Sequence, residues 1–264
     1  MKNMTAVFSH LFNNRMQWIL CLALAITVSV YGQGSAGADA SIETRYVIDV
    51  PTAGLIAHGN IALDADFFEA GGVMTRVSFG AFDRMLFGLS YGGSHLIGTD
   101  VADWNNAPGV LFKIRIVDES TDFPALALGF DSQGKDTYIS SLHRYAIKSA
   151  GFFAVASKNY QAYGSLCFHG GANYSLERSD GDDNINFFGG VEKTFGPFLS
   201  MVGEYNVGLN DSNHDALGKG RGYLNAGLRS SLGSGLTFAF SLKDILQNQG
   251  AAERTMSLEY VKTL

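Results

Sequence analysis

The sequence predicts an all-β chain that closes into an antiparallel up-and-down transmembrane β-barrel of about 12 strands. Three observations predict it. Period-two apolar segments recur from residue 53 to the end, their connections alternate between short and long, and aromatic residues crowd the short connections. In GLTFAFSLKD, residues 235 to 244, Leu236, Phe238, Phe240 and Leu242 share one parity, and Thr237, Ala239, Ser241 and Lys243 share the other. Strand side chains alternate between faces, so one face is wholly apolar and the other small or charged. The composition agrees: 32 Gly, 4 Pro, 19 Phe, 11 Tyr and only 17% charged residues among 264.

The N-terminus comes first. Lys2 and Arg15 precede WILCLALAITVSV, residues 18 to 30, which is short for a bilayer span and is followed by small residues. Residues 1 to 38 therefore read as a secretory signal cleaved after Ala38, with sites near Gly32 or Ala40 as alternatives. Leu20 before Cys21 argues against a lipoprotein box. Cleavage takes the basic count from 19 to 17 against 25 acids, about −8, so a basic nucleic-acid footprint is absent. Cys167 alone survives, which leaves no intramolecular disulfide. Residues 39 to 52 are expected as a short periplasmic segment and 53 to 264 as the barrel.

Twelve segments follow in order: 53 to 68, 72 to 82, 85 to 97, 109 to 119, 123 to 133, 147 to 159, 162 to 177, 184 to 195, 198 to 210, 221 to 232, 235 to 247 and 252 to 263. In the fourth, Phe112, Ile114 and Ile116 alternate with Lys113, Arg115 and Val117. In the fifth, Leu126, Leu128 and Phe130 alternate with Ala127, Gly129 and Asp131. In the ninth, Leu199, Met201 and Tyr205 alternate with Ser200, Glu204 and Asn206, and the twelfth carries Met256, Leu258, Tyr260 and Leu264 on its outward parity. These segments suit tilted crossings of roughly 9 to 11 residues better than a sandwich does, and closure removes the unpaired edges that lipid would penalise.

Short connections at 82 to 85, 120 to 122, 161 to 162, 196 to 197 and 233 to 234 alternate with a set that is mostly longer and polar, at 98 to 108, 134 to 146, 178 to 183 and 211 to 220, with two short exceptions near 70 and 250. Outer-membrane barrels have short periplasmic turns and long extracellular loops, so both termini are expected in the periplasm of a Gram-negative bacterium. Phe82, Phe123, Tyr160, Tyr163, Phe195, Phe198 and Tyr260 lie near the short-turn rim, as an aromatic girdle requires.

GLSYGGSHLIG (88 to 98), PGVLFKIRIVDES (108 to 120), PALALGFDSQG (124 to 134) and FFGGVEKTFGPFLSMVGEYN (187 to 206) resemble bacterial outer-membrane barrels of the YjbH type. The matching positions are Lys113, Arg115, Ala127, Gly129, Glu204, Tyr205 and Asn206. The resemblance implies a barrel linked to export or assembly of exopolysaccharide, without catalytic residues to carry over. This chain is shorter than some members and has no lipobox.

The expected inward charges are Asp64, Asp66, Arg76, Lys113, Arg115, Glu119, Asp131, Lys158, Glu192, Glu204, Arg229, Lys243 and Glu259. They suit two arrangements. One is a porin-like polar conduit whose basic rows, Arg76 with Lys113 and Arg115, and Arg229 with Lys243, favour a saccharide or small anionic solute. The other is a lumen filled by paired charges. Expected partners are outer-membrane lipid and the barrel-assembly machinery, with no nucleic acid, cofactor or metal. Ser94 and His95 are adjacent and point to opposite faces, so they do not form a nucleophile and base. Cys167 and His169 share a face, but two ligands are too few for a metal. SDGDDN (179 to 184) and NDSNHD (210 to 215) lack the EF-hand pattern and read as solvated loops. A rim enzyme acting on lipid or protein would draw on Asp100, Asp103, His143, Asp180, Asp182, Asp183, Asp211, His214 and Asp215. The reading adopted is a non-catalytic outer-membrane barrel for passage of a solute or polysaccharide.

Overall fold

The computed structural model describes Ala36, residues 42 to 213 and residues 215 to 263. The expected signal segment lies outside these apart from Ala36, as do His214 and Leu264. The described residues form strands and no helix: β1 Asn60–Phe68, β2 Gly72–Ala81, β3 Met85–Ser94, β4 Asp103–Trp104, β5 Gly109–Val117, β6 Ala125–Asp131, β7 Lys135–Ile139, β8 Arg144–Ile147, β9 Gly151–Gln161, β10 Ser165–Tyr174, β11 Asn186–Phe195, β12 Leu199–Asn206, β13 Tyr223–Gly233, β14 Leu236–Lys243 and β15 Glu253–Thr263.

Twelve of these close a barrel. Each pairs antiparallel with its neighbours in the order β1, β2, β3, β5, β6, β9, β10, β11, β12, β13, β14, β15, and β15 returns to β1 from Asn60↔Thr263 to Phe67↔Met256. The circle leaves no barrel edge unpaired. The three remaining strands lie in long connections. β4 extends the edge of β3 through Gly93↔Trp104, and β7 with β8 forms a hairpin within 132 to 150, where the sequence suggested only a loop.

The parity of β14 is as the alternation predicts. Phe240 is 40% exposed and Leu242 41%, while Ser241 and Lys243 are 6% and 5%. Val110 and Phe112 on β5, Leu126 and Leu128 on β6, and Leu199 and Met201 on β12 are likewise exposed. Outward rings also pack on each other, Phe79 on Phe87 and Phe87 on Phe112, both at 5.2 Å. So continuous an apolar exterior far exceeds what a water-soluble monomer presents, and it makes this a transmembrane barrel. Exposed Phe82, Phe123, Tyr163, Phe195 and Phe198 ring the short-turn end. Tyr91, Trp104, Phe152, Phe187 and Tyr205 ring the other end, where Tyr91 and Trp104 stack at 5.6 Å. The Leu128→Arg substitution is expected to cost about 2–4 kcal/mol and to reduce the heat-modifiable folded band on gels. Ser241→Arg, facing an internal crevice, should spare that band; equal damage at both positions would contradict the facing described here.

The first expected segment and the expected periplasmic stretch need correction. The wall begins at Asn60, not at 53, and residues 42 to 57 run inside the barrel. They form a re-entrant hairpin. Its arms pair through Tyr46↔Pro51, the Thr52 N–H donates to the Arg45 carbonyl at 3.1 Å, and the tip closes from the Val47 N–H to the Val50 carbonyl at 3.0 Å. The arms approach so closely that a Cβ at Gly54 would lie 2.0 Å from the Thr44 carbonyl oxygen. Val47, Val50 and Ala53 pack on Ala125, Ala127, Phe153, Val155, Phe188 and Val202 of the wall, and Leu55 and Ile56 on Ala62, Leu86, Leu111 and Val261. The chain then reaches the short-turn rim, where His58 bridges to Gly80, and turns into β1.

Candidate functional site: the barrel lumen

The inner face of the wall grips the hairpin mainly by its backbone. Lys113 on β5 is 0% exposed and donates to the carbonyls of Arg45 (3.2 Å), Thr52 (2.9 Å) and Gly54 (3.0 Å). Arg115 donates to the Ala53 carbonyl at 3.0 Å and pairs with Glu43, whereas Arg229 on β13 donates to the carbonyls of Tyr46, at 2.6 Å, and Val47. Glu204 on β12 supplies the complementary acceptors. Its carboxylate receives the N–H groups of Ile48 (2.8 Å), Asp49 (2.9 Å) and Val50 (3.1 Å) at the tip, plus the Asn225 amide at 2.8 Å. Glu192 accepts from the Thr44 and Ser200 hydroxyls. A buried peptide group must find such partners, and here the wall provides them.

Side chains of the hairpin complete the charge balance. Asp64 on β1 and Glu259 on β15 face each other across the ladder, an arrangement that is unfavourable for two carboxylates unless a cation lies between them. Arg45 does, at 2.5 Å from Asp64 and 2.9 Å from Glu259. Tyr46 donates its hydroxyl to Asp131 at 2.7 Å, and its ring lies 4.7 Å from the Arg76 guanidinium and 5.5 Å from the Lys113 ammonium. Lys243 on β14 lies 2.9 Å from Asp49 at the tip and 2.7 Å from Asp136 on β7. Within the wall itself, Arg76 meets Asp131 at 3.0 Å and Arg229 approaches Glu192 at 3.6 Å.

Two expected positions differ. Lys158 is not on the inward parity: it pairs with the outward Phe168 and hooks over the short-turn rim to the carbonyls of Ser120 and Thr121, with Glu119 at 3.6 Å. On the inner row of β9 Phe153 and Val155 are apolar because they pack on the hairpin, so the pattern there runs opposite to that of a water-facing lumen. Glu119 follows a bulge in β5 and lies at the rim, accepting the Asn159 N–H at 2.8 Å.

Ser94 donates to the Thr137 hydroxyl at 3.0 Å. A serine and histidine that do meet are Ser157 and His169, 2.8 Å apart and opposite each other on β9 and β10. Their contact depends on strand register, which no local motif reveals. The Ser157 oxygen also accepts the Ala53 N–H at 2.9 Å, which ties this pair to the hairpin. Cys167 is a buried free thiol beside this pair. Among the described residues no group of three or more His, Cys, Asp or Glu is placed to hold a metal ion.

The long-loop mouth has a roof built from the two acidic loops and the β7–β8 hairpin. Arg144, fully buried, meets Asp180 at 2.5 Å and Asp211 at 2.6 Å, while Lys148 meets Asp180 at 2.8 Å. Tyr223 also donates to Asp211. These acids, candidates for a rim enzyme, are thus held by cations of the chain itself. Glu177 accepts the N–H groups of Tyr145 (3.3 Å) and Ser149 (3.2 Å), and burial pushes its carboxyl up to about 7. Because the folded roof holds this proton more tightly than the open chain, Glu177 favours the roof at about pH 4.5 and that advantage is lost as pH rises to about 7. Amide protection in residues 144 to 149, taken as exchange relative to the intrinsic rate at the same pH, is expected to be greater at pH 5 than at pH 8, with Glu177→Gln flattening the difference. An unchanged pH dependence in that variant would refute the assignment.

No family model matches the chain, and no curated protein matches it. Among solved structures it is similar to the KdgM porin at 9% identity, covering 76% of this chain and 98% of that one with a TM-score of 0.47. The NanC porin gives 11% identity, 77% and 99% coverage and a TM-score of 0.44. An outer membrane channel from Pseudomonas putida F1 gives 13%, 81% and 98%, and 0.38. Similarities of this size say nothing about ligand or activity; the strand register defines the barrel.

Proposed function

We propose that this chain is a non-catalytic outer-membrane barrel that conducts a solute or saccharide, with its short turns and both ends of the barrel sequence in the periplasm and its long loops outside. The observation that carries the reading is the allocation of the wall's polar groups. A barrel built only as a sealed scaffold has no need for Lys113, Arg115, Arg229 and Glu204 to engage a separate re-entrant segment, since it could pair charge with charge across the wall. Here these four lumen side chains bind main-chain carbonyls and N–H groups of residues 45 to 54. Such rows of fixed donors and acceptors also suit a hydroxyl- and carboxylate-bearing polymer or a small anion. An exopolysaccharide link of the YjbH kind is consistent with this, because Lys113, Arg115 and Glu204, three positions of that resemblance, belong to the same rows.

A narrow crevice, with a cavity volume of about 50 Å³, lies between the hairpin and the wall, lined by Asp66, Lys135, Asp136, Arg229, Lys243 and Ser257 among others. Planar-bilayer recordings under a salt gradient test the reading. The parent is expected to pass current with anion preference, and Lys113→Ser/Arg115→Ser/Arg229→Ser to shift that preference toward cations. Persistent silence of both folded proteins would refute conduction.

A further inference from the structure

We propose that the hairpin of residues 42 to 57 is a displaceable plug, which leaves the lumen as a unit through the short-turn mouth and so opens the barrel. The inference rests on the conduit reading and adds its gate.

Topology permits the movement. The hairpin has one tip, at residues 47 to 50, and its second arm returns to the rim where β1 begins, so this arm can withdraw without passing through the wall. Its own bonds travel with it: Thr52 N–H to Arg45 carbonyl, Val47 N–H to Val50 carbonyl, and Leu55 N–H to Glu43 at 2.8 Å. What it leaves behind is mixed: the apolar wall patches around Phe153, Val155, Phe188, Leu86 and Leu111 lose their cover, which holds the plug docked at rest, and beside them lie polar groups. Lys113, Arg115, Arg229, Glu204, Asp64 and Glu259 lose hairpin partners and can be satisfied by water or by a polar solute once the lumen fills. Withdrawal also breaks the link from Asp49 through Lys243 to Asp136, the connection between the tip and the roof.

One contact offers a way to bias docking without deleting anything. Gly190 on β11 faces Val47, and a Cβ built at Gly190 would lie 2.8 Å from the nearest Val47 methyl and 3.2 Å from its Cβ. A larger side chain therefore competes with Val47 for one volume. A pair of cysteines at 47 and 190 is close to the roughly 3.5–4.5 Å Cβ separation of a disulfide and needs only a small adjustment.

The test uses the full chain with Cys167→Ser in planar bilayers. Gly190→Leu is expected to raise the open fraction at least about tenfold over the parent, the shift an overpacked contact produces. Oxidised Val47→Cys/Gly190→Cys is expected to be silent, and reductant to return it to the parent's behaviour. Val47→Cys alone supplies a readout that needs no current and no enlarged residue. A buried side chain reacts with a charged maleimide in the folded barrel only by leaving its site, so gradual complete labelling is expected. Equal currents from parent, Gly190→Leu and the oxidised pair overturn the plug while conduction stands. Labelling of Val47→Cys with no current from any protein means that displacement opens nothing, which overturns the gate together with conduction. No labelling in a heat-modifiable barrel overturns displacement, whatever the currents.

Discussion

Arg144→Met is expected to destabilise the roof by about 3–5 kcal/mol, the usual cost of removing one partner from a buried charge cluster. Arg144 and Asp180 are fully buried and Asp211 is nearly so; the variant strands Asp211 without a cation where little water reaches and leaves Asp180 with Lys148 alone. The guanidinium also donates to the carbonyls of Tyr145 and Ala146, both at 2.9 Å, so two acceptors of the β8 backbone are lost with it. The effect should be local. Amide exchange and limited proteolysis should increase at residues 144 to 149, 178 to 184 and 208 to 213 while the barrel strands keep their protection. Adding Asp211→Asn should recover part of the loss, because a neutral amide tolerates burial better than an unpaired carboxylate, while Asp180 keeps Lys148. Unchanged exchange in the single variant would mean that the roof does not depend on this cluster.

Arg45→Met is the second large effect, and it falls on the lumen. The substitution keeps the stem but leaves Asp64 and Glu259 facing each other on adjacent strands with no cation between them. Their side chains are 16% and 20% exposed, so the expected loss of hairpin docking is about 2–4 kcal/mol, somewhat below that of a fully buried pair. A lower temperature of the heat-modifiable gel transition measures it. Glu259→Gln in the same chain should restore part of the loss by removing one of the two charges. If Arg45→Met melts like the parent, the carboxylate pair is already relieved by its neighbour Arg76, which faces Asp64 on β2.

These two clusters also show how far the sequence reaches. The wall is legible because its information is local: Phe240 beside Ser241, or Phe112 beside Lys113, assigns two faces within a few residues, and neighbouring strands agree. Turn asymmetry adds the direction of each strand. The hairpin is not legible in that way. Residues 53 to 68 are extended and partly apolar whether they form wall or filling, and periodicity reports that a side is covered without reporting what covers it. Lys158 shows the consequence. On β9 the inner row is Phe153 and Val155, which read from pattern alone as a lipid face, because the covering surface is Val47, Val50 and Ala53 from a segment about one hundred residues earlier in the chain.

The partners of the charges follow the same division. Sequence alone determined that Arg76, Lys113, Arg115, Glu204, Arg229, Lys243 and Glu259 share an inward parity, since strand geometry fixes it. Only the tertiary structure decided that Lys113 binds three carbonyls, that Glu204 caps a hairpin tip and that Arg45 lies between two facing carboxylates. A fold's period places a side chain on a face, whereas its partner depends on barrel closure, stagger between distant strands and which segment enters the space they enclose.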